Sequence, residues 1–272
     1  MSANFALRPG HAVTSRRGAP GLNRPASPSP VLHHLSHSQV QSFQTCPRKW
    51  HYEKVEHAPR ERTPASLVFG IAVHDALALQ NEAALHGETI DAPAAFVKAW
   101  SATVAEAGVP VHYGKDAADD LLTKGRALAG AYTPPAGIIG VEQPFTVELA
   151  PDLPPVEGRI DLIRQREDAG LVLGDLKTSA SRLLSDTYAA EAQLGLYDIA
   201  YPSAAHEVIV LGKLKTPTVT SQPITPLPAA SVVRQYREVH HAMVSGVRYA
   251  CRGWQCDGCA FATRCANEGR TH

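Results

Sequence analysis

The chain has 272 residues, 44% of them hydrophobic, and its 26 basic and 26 acidic side chains leave a formal net charge of zero. That length supports one large domain or a core with a clamp, and no apolar run reaches the ~20 residues of a membrane helix. Zero net charge excludes a global pull toward nucleic acid, so any electrostatic footprint has to be local.

No G-x4-G-K-[ST] segment occurs, which excludes a P-loop ATP motor. Five cysteines, three of them crowded near the C-terminus, suit a metal site in a reducing compartment better than a disulfide framework. The expected location is cytoplasmic, with no membrane partner.

Residues 1–35 are rich in Pro, Gly and Ser and carry Arg8, Arg16, Arg17 and Arg24 without an acidic residue. They read as a disordered basic tail, with a transit peptide or a phosphate-binding arm as alternatives. Order is expected from His37 onward, where Ser38 can cap a helix running toward Phe43. In Cys46-Pro47-Arg48-Lys49-Trp50-His51-Tyr52, Trp50 and Tyr52 read as core anchors. Taken alone, Cys46 reads as a small buried hydrophobe; the alternative makes it a ligand, with Arg48 and Lys49 meeting phosphate.

Residues 65–135 read as a helical part. Its first helix, Ala65 to His86, has Leu67, Ile71 and Ala78 on one apolar side, with Gly70 and His74 on the face beside them. A glycine inside a helix costs about 1 kcal/mol against alanine, so it often marks the close approach of a backbone or ligand. His74 is then either a satisfied core histidine or a metal ligand. Helices at Ala92 to Ala107 and Asp116 to Tyr132 complete this part.

Residues 138–225 read as the core. Ile138 to Leu149 is a strand in which Glu142 is an extra acidic group or a surface residue. Pro155 to Ser179 reads as two strands joined by a turn at Asp168-Ala169-Gly170. Alternation places Glu157, Arg159 and Asp161 on one face of the first strand and Asp175 and Lys177 on one face of the second. A hairpin centred near Asp168 sets Asp161 opposite Asp175 and Arg159 opposite Lys177. Two carboxylates about 5 Å apart repel unless a cation lies between them, so the pairing points to a hard divalent ion such as Mg²⁺ or Mn²⁺. Lys177 can then orient water and offset charge on phosphorus. The alternative is a hairpin with a solvated charged face.

A helix follows from Asp186 to Ala200, with Gln193 and Tyr197 on one face, and then strands at His206 to Lys215 and Val219 to Ile224. A long helix spans Ala229 to Ala250. The spacing Cys256-x2-Cys259-x5-Cys265 points to metal binding and suits zinc or an iron-sulfur cluster alike. The fourth ligand is Cys251 in a local site or Cys46 in a clasp between the two ends of the chain.

These motifs, in this order, resemble the PD-(D/E)XK nuclease superfamily, in its RecB-like exonuclease branch with an iron-sulfur cluster. The resemblance rests on Cys46-Pro47-Arg48-Lys49, Gly70-x3-His74, Gly158-Arg159-Ile160-Asp161, Gly174-Asp175-Leu176-Lys177-Thr178, Gln193-x3-Tyr197 and the cysteine triplet, and it spans residues 36–265. It implies one nuclease domain over residues 36–272, α/β in class, with a mixed central sheet flanked by helices, a helical insertion and a clasp at 251–265. It also implies a metal held by His74, Asp161, Asp175 and the backbone carbonyl of Leu176. Lys177 would be catalytic, with Gln193 and Tyr197 meeting substrate. Cys46, Cys256, Cys259 and Cys265 would hold a 4Fe-4S cluster, leaving Cys251 free. Asp175 stands where the superfamily often has glutamate, an option this branch also uses. The activity implied is hydrolysis of DNA, single-stranded or at ends, in recombination, repair, phage DNA processing or CRISPR adaptation, beside helicase, recombination or CRISPR partner proteins. Two alternatives are a noncatalytic DNA-binding adaptor that keeps fold and cluster, and a zinc-stapled interaction module.

Overall fold

Five strands form one mixed sheet in the order β3-β4-β5-β6-β7: β3 (Ile138–Val147), β4 (Val156–Arg166), β5 (Gly170–Ser179), β6 (Ala205–Gly212) and β7 (Thr218–Pro223). A two-stranded parallel piece joins β1 (Thr63–Pro64) to β2 (Val111–His112). The structure, a computed structural model, describes residues 32–268. Almost all of the basic tail read from the sequence lies outside the described residues. Leu35, placed at the end of that tail, is fully buried and bridges Val156.

β3, β4 and β5 are antiparallel neighbours, while β5 and β6 run parallel. A parallel pair needs a crossover, and α6 (Tyr188–Ala200) supplies it. The turn between β4 and β5 closes where the sequence placed it, with Gly170 at φ 66°, a backbone region that glycine enters without steric cost.

Helices cover both faces. On one lie α1 (His37–Thr45), α2 (Pro47–Lys54), α6 and α7 (Ala229–Val244). Their Phe43, Trp50, Leu194, Tyr197, Val232 and Tyr236 pack on Ile160, Ile163, Leu173, Val208 and Val210 of the sheet. On the other lie α3 (Ala65–Leu85), α4 (Ala92–Glu106) and α5 (Ala118–Ala131). Phe69, Val73, Leu77, Phe96, Trp100 and Leu128 there meet Leu162, Leu176, Ile209 and Leu211. A Cβ on Gly125 would stand 1.9 Å from the Phe96 ring, so α4 and α5 approach as closely as they do only because that residue is glycine. A 3-10 turn (Trp254–Cys256) and α8 (Ala262–Glu268) end the described chain. Among the described residues no helix is long and apolar enough to cross a membrane.

The α/β architecture expected from the sequence is the one found, with local corrections. The side-chain cap of α1 is Ser36, whose Oγ accepts the Gln39 N–H, rather than Ser38. The last long helix stops at Val244, and Gly246 follows at φ 75°. Leu67 and Ile71 do not face the core; Val68, Phe69, Ala72, Val73, Ala76 and Leu77 of α3 do. Helix α2, the β1–β2 pair and α8 are too short and too polar for periodicity to reveal.

The strand alternation assumed for β4 breaks at one point. Ile160 and Leu162 are two residues apart, yet they enter cores on opposite faces of the sheet. On the neighbouring strand Val141 and Phe145 likewise pack on opposite faces. Between them lies Glu142 at φ 47°. The ladder pairs Val141 with Leu162 and Gln143 with Ile160, so Glu142 and Asp161 share the place where both strands change face.

Candidate metal centre and cysteine cavity

The β4–β5 ladder runs only from Arg166↔Gly170 to Leu162↔Gly174. Its register points Asp161 toward Asp175, as the hairpin reading expected, but the recorded pairing stops one step short. The Asp161 carboxylate instead takes the Leu176 N–H on Oδ2 at 2.7 Å, satisfying a backbone donor beyond the end of the ladder.

Around this point the fold brings together residues from four elements. His74 reaches in from α3, with Nδ1 3.6 Å from Asp161 Oδ2. Glu142 of β3 joins them, so that one ligand atom each from His74, Glu142 and Asp161 lies within 4.8 Å of the others. The Leu176 carbonyl neighbours the His74 ring. Glu142 stood in the sequence only as an acid on a strand, and its convergence with His74 depends on a left-handed backbone that no motif announces.

Asp175 belongs to the α6 side of the same site. Its Oδ1 accepts from Gln193 Nε2 at 2.7 Å, and Lys177 Nζ lies 3.3 Å from that oxygen and 3.0 Å from Oδ2. The Oδ2 contact is an ion pair without hydrogen-bond geometry, which leaves that buried oxygen with open lone pairs. Gln193 Oε1 accepts from Lys177 Nζ at 2.9 Å, and Gln193 Nε2 also donates to the Tyr197 hydroxyl. Tyr197 in turn donates to the Arg159 carbonyl at 2.9 Å. Spacing four apart on α6 thus places the glutamine and the tyrosine in one network with Asp175 and Lys177.

The electrostatics follow from crowding acids in a buried place. Burial, and then the charge of Asp175, push the Asp161 carboxyl well above the usual carboxylate range, although the Leu176 N–H opposes them. Burial raises Glu142 too, against the pull of Arg159. Burial lowers His74, so its ring is neutral and able to offer a nitrogen. Burial acts to lower Lys177, but the Asp175 and Asp161 carboxylates outweigh it and the ammonium is held. Burial also raises Tyr197, which stays a phenol. When ionised, the three carboxyl groups outnumber the one fixed ammonium, and burial disfavours that charge unless a cation offsets it. The donor set of imidazole, carboxylates and a carbonyl, with the open Oδ2 of Asp175, fits a hard divalent cation. A cavity of about 210 Å³ opens onto Lys177, Gln193 and Tyr197 and is walled on the far side by Ser36, His37 and Ser38.

The cysteines form a second constellation. Cys46, Cys251, Cys256, Cys259 and Cys265 all line one cavity of about 350 Å³, beside Tyr52 and Phe261. Cys46 sits at the junction of α1 and α2 in extended conformation, followed by Pro47 at the start of α2. The C-terminal segment is tied down beside it. Arg48 Nη1 and the Tyr52 hydroxyl both donate to Glu268 at 2.7 Å, and Arg48 donates from N and Nε to the Tyr249 and Arg248 carbonyls. The Glu61 carboxylate accepts the Thr263 and Arg264 N–H groups, capping the first turn of α8. Cys251 is a hydrogen-bonding neighbour of Cys46, so the cavity gathers one thiol more than a four-ligand group uses. Burial pushes the Cys259 and Cys265 thiols up, against the smaller downward pull of Lys49 on Cys259 and of Arg48 and Arg252 on Cys265.

The comparisons with known proteins agree with this architecture. The PD-(D/E)XK nuclease superfamily profile matches residues 34–266. A crystal structure of a protein from Eubacterium rectale that carries an exonuclease name has 12% identity and a TM-score of 0.51, covering 84% of this chain and 87% of that one; at this identity the likeness concerns the fold alone. The crystal structure of SSO0001 shares 14% identity over 84% of this chain and 96% of that one, but its TM-score of 0.37 is too low to bear weight. No curated protein matches the chain. From residue 34 to residue 266, the chain belongs to the PD-(D/E)XK nuclease superfamily.

Proposed function

We propose that the chain is a metal-dependent DNA exonuclease of the RecB-like branch, with residues 36–272 as its nuclease domain and single strands or DNA ends as substrate. The observation that carries this reading is the meeting of His74, Glu142 and Asp161 beside the Asp175–Lys177–Gln193 network, at the point where the sheet loses its ladder. His74, Asp161, Asp175 and the Leu176 carbonyl would hold Mg²⁺ or Mn²⁺, with Glu142 as an added ligand. A divalent ion there supplies a Lewis acid for a phosphate oxygen and acidifies water.

The chain's own groups do the rest. Lys177, fixed by Asp175 and Gln193, orients the attacking water and offsets the negative charge that gathers on the phosphoryl oxygens. Gln193 holds the ammonium through its oxygen and Asp175 through its nitrogen, so one amide sets the spacing of both. Tyr197 anchors that amide to β4. In the second constellation Cys46, Cys256, Cys259 and Cys265 would hold a 4Fe-4S cluster as a staple between α2 and the C-terminal segment. The convergence of the five thiols on one cavity supports that assignment.

The test is degradation of end-labelled single-stranded DNA by anaerobically purified protein with Mn²⁺ or Mg²⁺. Lys177→Ala should lower the rate by roughly 10²- to 10³-fold, the usual loss for one electrostatic stabiliser, while DNA binding persists. Equal rates in the two proteins would refute the assignment.

A further inference from the structure

The cysteine cavity gathers one thiol more than a four-ligand group uses, and nuclease chemistry leaves that thiol without a task. Cys46, Cys251, Cys256, Cys259 and Cys265 line it together, all as free cysteines. Cys251 is set apart by its neighbour, because its thiol is in hydrogen-bonding contact with that of Cys46. The backbone sets this contact. Arg48 donates its N–H to the Tyr249 carbonyl and its Nε to the Arg248 carbonyl. Cys46 stands two residues before Arg48 and Cys251 two residues after Tyr249, so both thiols are equally far along the chain from the bond that joins the two segments.

Both positions also have room to adjust. Cys46 is an extended residue between α1 and α2, and residues 247–252 belong to no helix or strand. A disulfide needs its sulfurs about 2.0 Å apart, closer than two thiols in contact. At Cys46 and Cys251 that last movement falls on chain outside regular structure. Two of the other thiols are held differently. Cys256 ends the 3-10 turn and its thiol donates to the Cys251 carbonyl at 3.8 Å, while Cys265 lies inside α8.

We propose that Cys46 and Cys251 are a redox pair, which an oxidising small-molecule disulfide joins whenever the cavity holds no metal. The two protein thiols give up two protons and two electrons, and one protein S–S bond forms. The S–S bond of the small disulfide breaks, and two small thiols leave. The bond ties the α1–α2 junction to the C-terminal segment and closes most of the described chain into one loop, so the clasp stays shut. Its second consequence rests on the cluster assignment above. Cys46 cannot serve as a thiolate ligand and as half of a disulfide at once, so the oxidised chain refuses iron until a thiol reduces it.

The experiment uses the full chain, stripped of metal by a chelator under reducing conditions and then exposed to oxidised glutathione. Three quantities are read: the cross-linked peptides by mass mapping without reductant, Tm, and reloading with iron and sulfide, followed by absorbance near about 400 nm. The main cross-link should join the peptides of Cys46 and Cys251, and Cys251→Ser should lack it. Oxidation should raise Tm by about 5–10 °C in the wild type, the size expected of a disulfide closing a long loop, and not in Cys251→Ser. Reloading of the oxidised wild type should be lost and should return with dithiothreitol. No cross-link, or a main cross-link between any other two cysteines, overturns the pair. A cross-linked chain that melts no higher than the reduced one overturns the closed clasp. The remaining outcomes separate the pair from the cluster. Reloading of the reduced chain, with no Cys46–Cys251 bond after oxidation, removes the pair and leaves the cluster. The Cys46–Cys251 bond in a chain that takes up no iron in either state supports the pair and removes the cluster.

Discussion

Acidification should loosen the helix that walls the cavity at Lys177 and Gln193, through His37. This residue opens α1, and its Nδ1 lies 3.1 Å from the Tyr236 hydroxyl while its Nε2 is buried without a partner. Burial, and then the neighbouring Lys177 ammonium, hold its pKa down from 6.5 to about 4, against smaller opposing effects of Asp175 and the Ala189 backbone. The folded state thus prefers the neutral ring. Stability from this preference is fully present above pH 6.5 and is lost as pH falls from 6.5 toward about 4. The full gap corresponds to about 3 kcal/mol, and about 2 kcal/mol of it is gone by pH 5. The ring borders an open cavity where solvent screens its charge, so about 1–2 kcal/mol is the expected size at pH 5. Urea unfolding of the wild type and His37→Gln at pH 8 and pH 5 measures it, since glutamine keeps a partner for Tyr236 without titrating. The variant should lose about 1–2 kcal/mol less than the wild type between the two pH values. Equal losses would refute the reasoning, because every other titrating group is common to both proteins.

A buried ion pair in the sheet gives a second test. Arg164 of β4 reaches across β5 to Glu207 of β6, which also accepts from Ser221. Glu207→Gln leaves the guanidinium buried without its counter-charge and should cost about 3 kcal/mol, whereas Arg164→Met/Glu207→Leu should recover most of that in thermal unfolding. For the cysteine cavity, Cys46→Ala should abolish iron-sulfur absorbance near about 400 nm and Cys251→Ala should leave it; the reverse would make Cys251 the fourth ligand. For the metal centre, Mn²⁺ at about one hundred times its Kd should add about 2.7 kcal/mol, raising Tm by about 5–10 °C. Asp161→Asn should lose most of that shift in a thermal melt.

The elements that period and turn chemistry specify were legible in the sequence: β4 and β5 with their turn, the long α3, and Gln193 and Tyr197 on one face of α6. Each depends on residues close in the chain. What was not legible depends on tertiary geometry. The register of β4 and β5 correctly aims Asp161 at Asp175, but nothing local reveals that the strands part there and that Leu176 donates to Asp161. Glu142 becomes a neighbour of His74 only because β3 and β4 change face together. Leu67 and Ile71 look like core residues by spacing, since spacing reports which residues share a face and not which face meets the sheet. Cys251 looks separable from Cys46 in sequence, yet the carbonyl contacts of Arg48 with residues 248 and 249 bring the two thiols into one cavity.

Two features of α3 and its neighbours make sense together. Asp161 and Glu142 have carboxyl groups raised by burial, so at neutral pH their ionised forms cost the fold stability that protonation, or a cation, would restore. Gly70 likewise occupies a place where alanine would stabilise the helix without a clash. The physical causes differ, since one is charge and the other is backbone entropy, and packing explains neither. Both lie next to His74, one on the sheet below it and one a turn before it on α3. A fold selected for stability alone has better residues available at each position, so their concentration around a single histidine is the mark of a surface shaped for something that arrives from outside the chain.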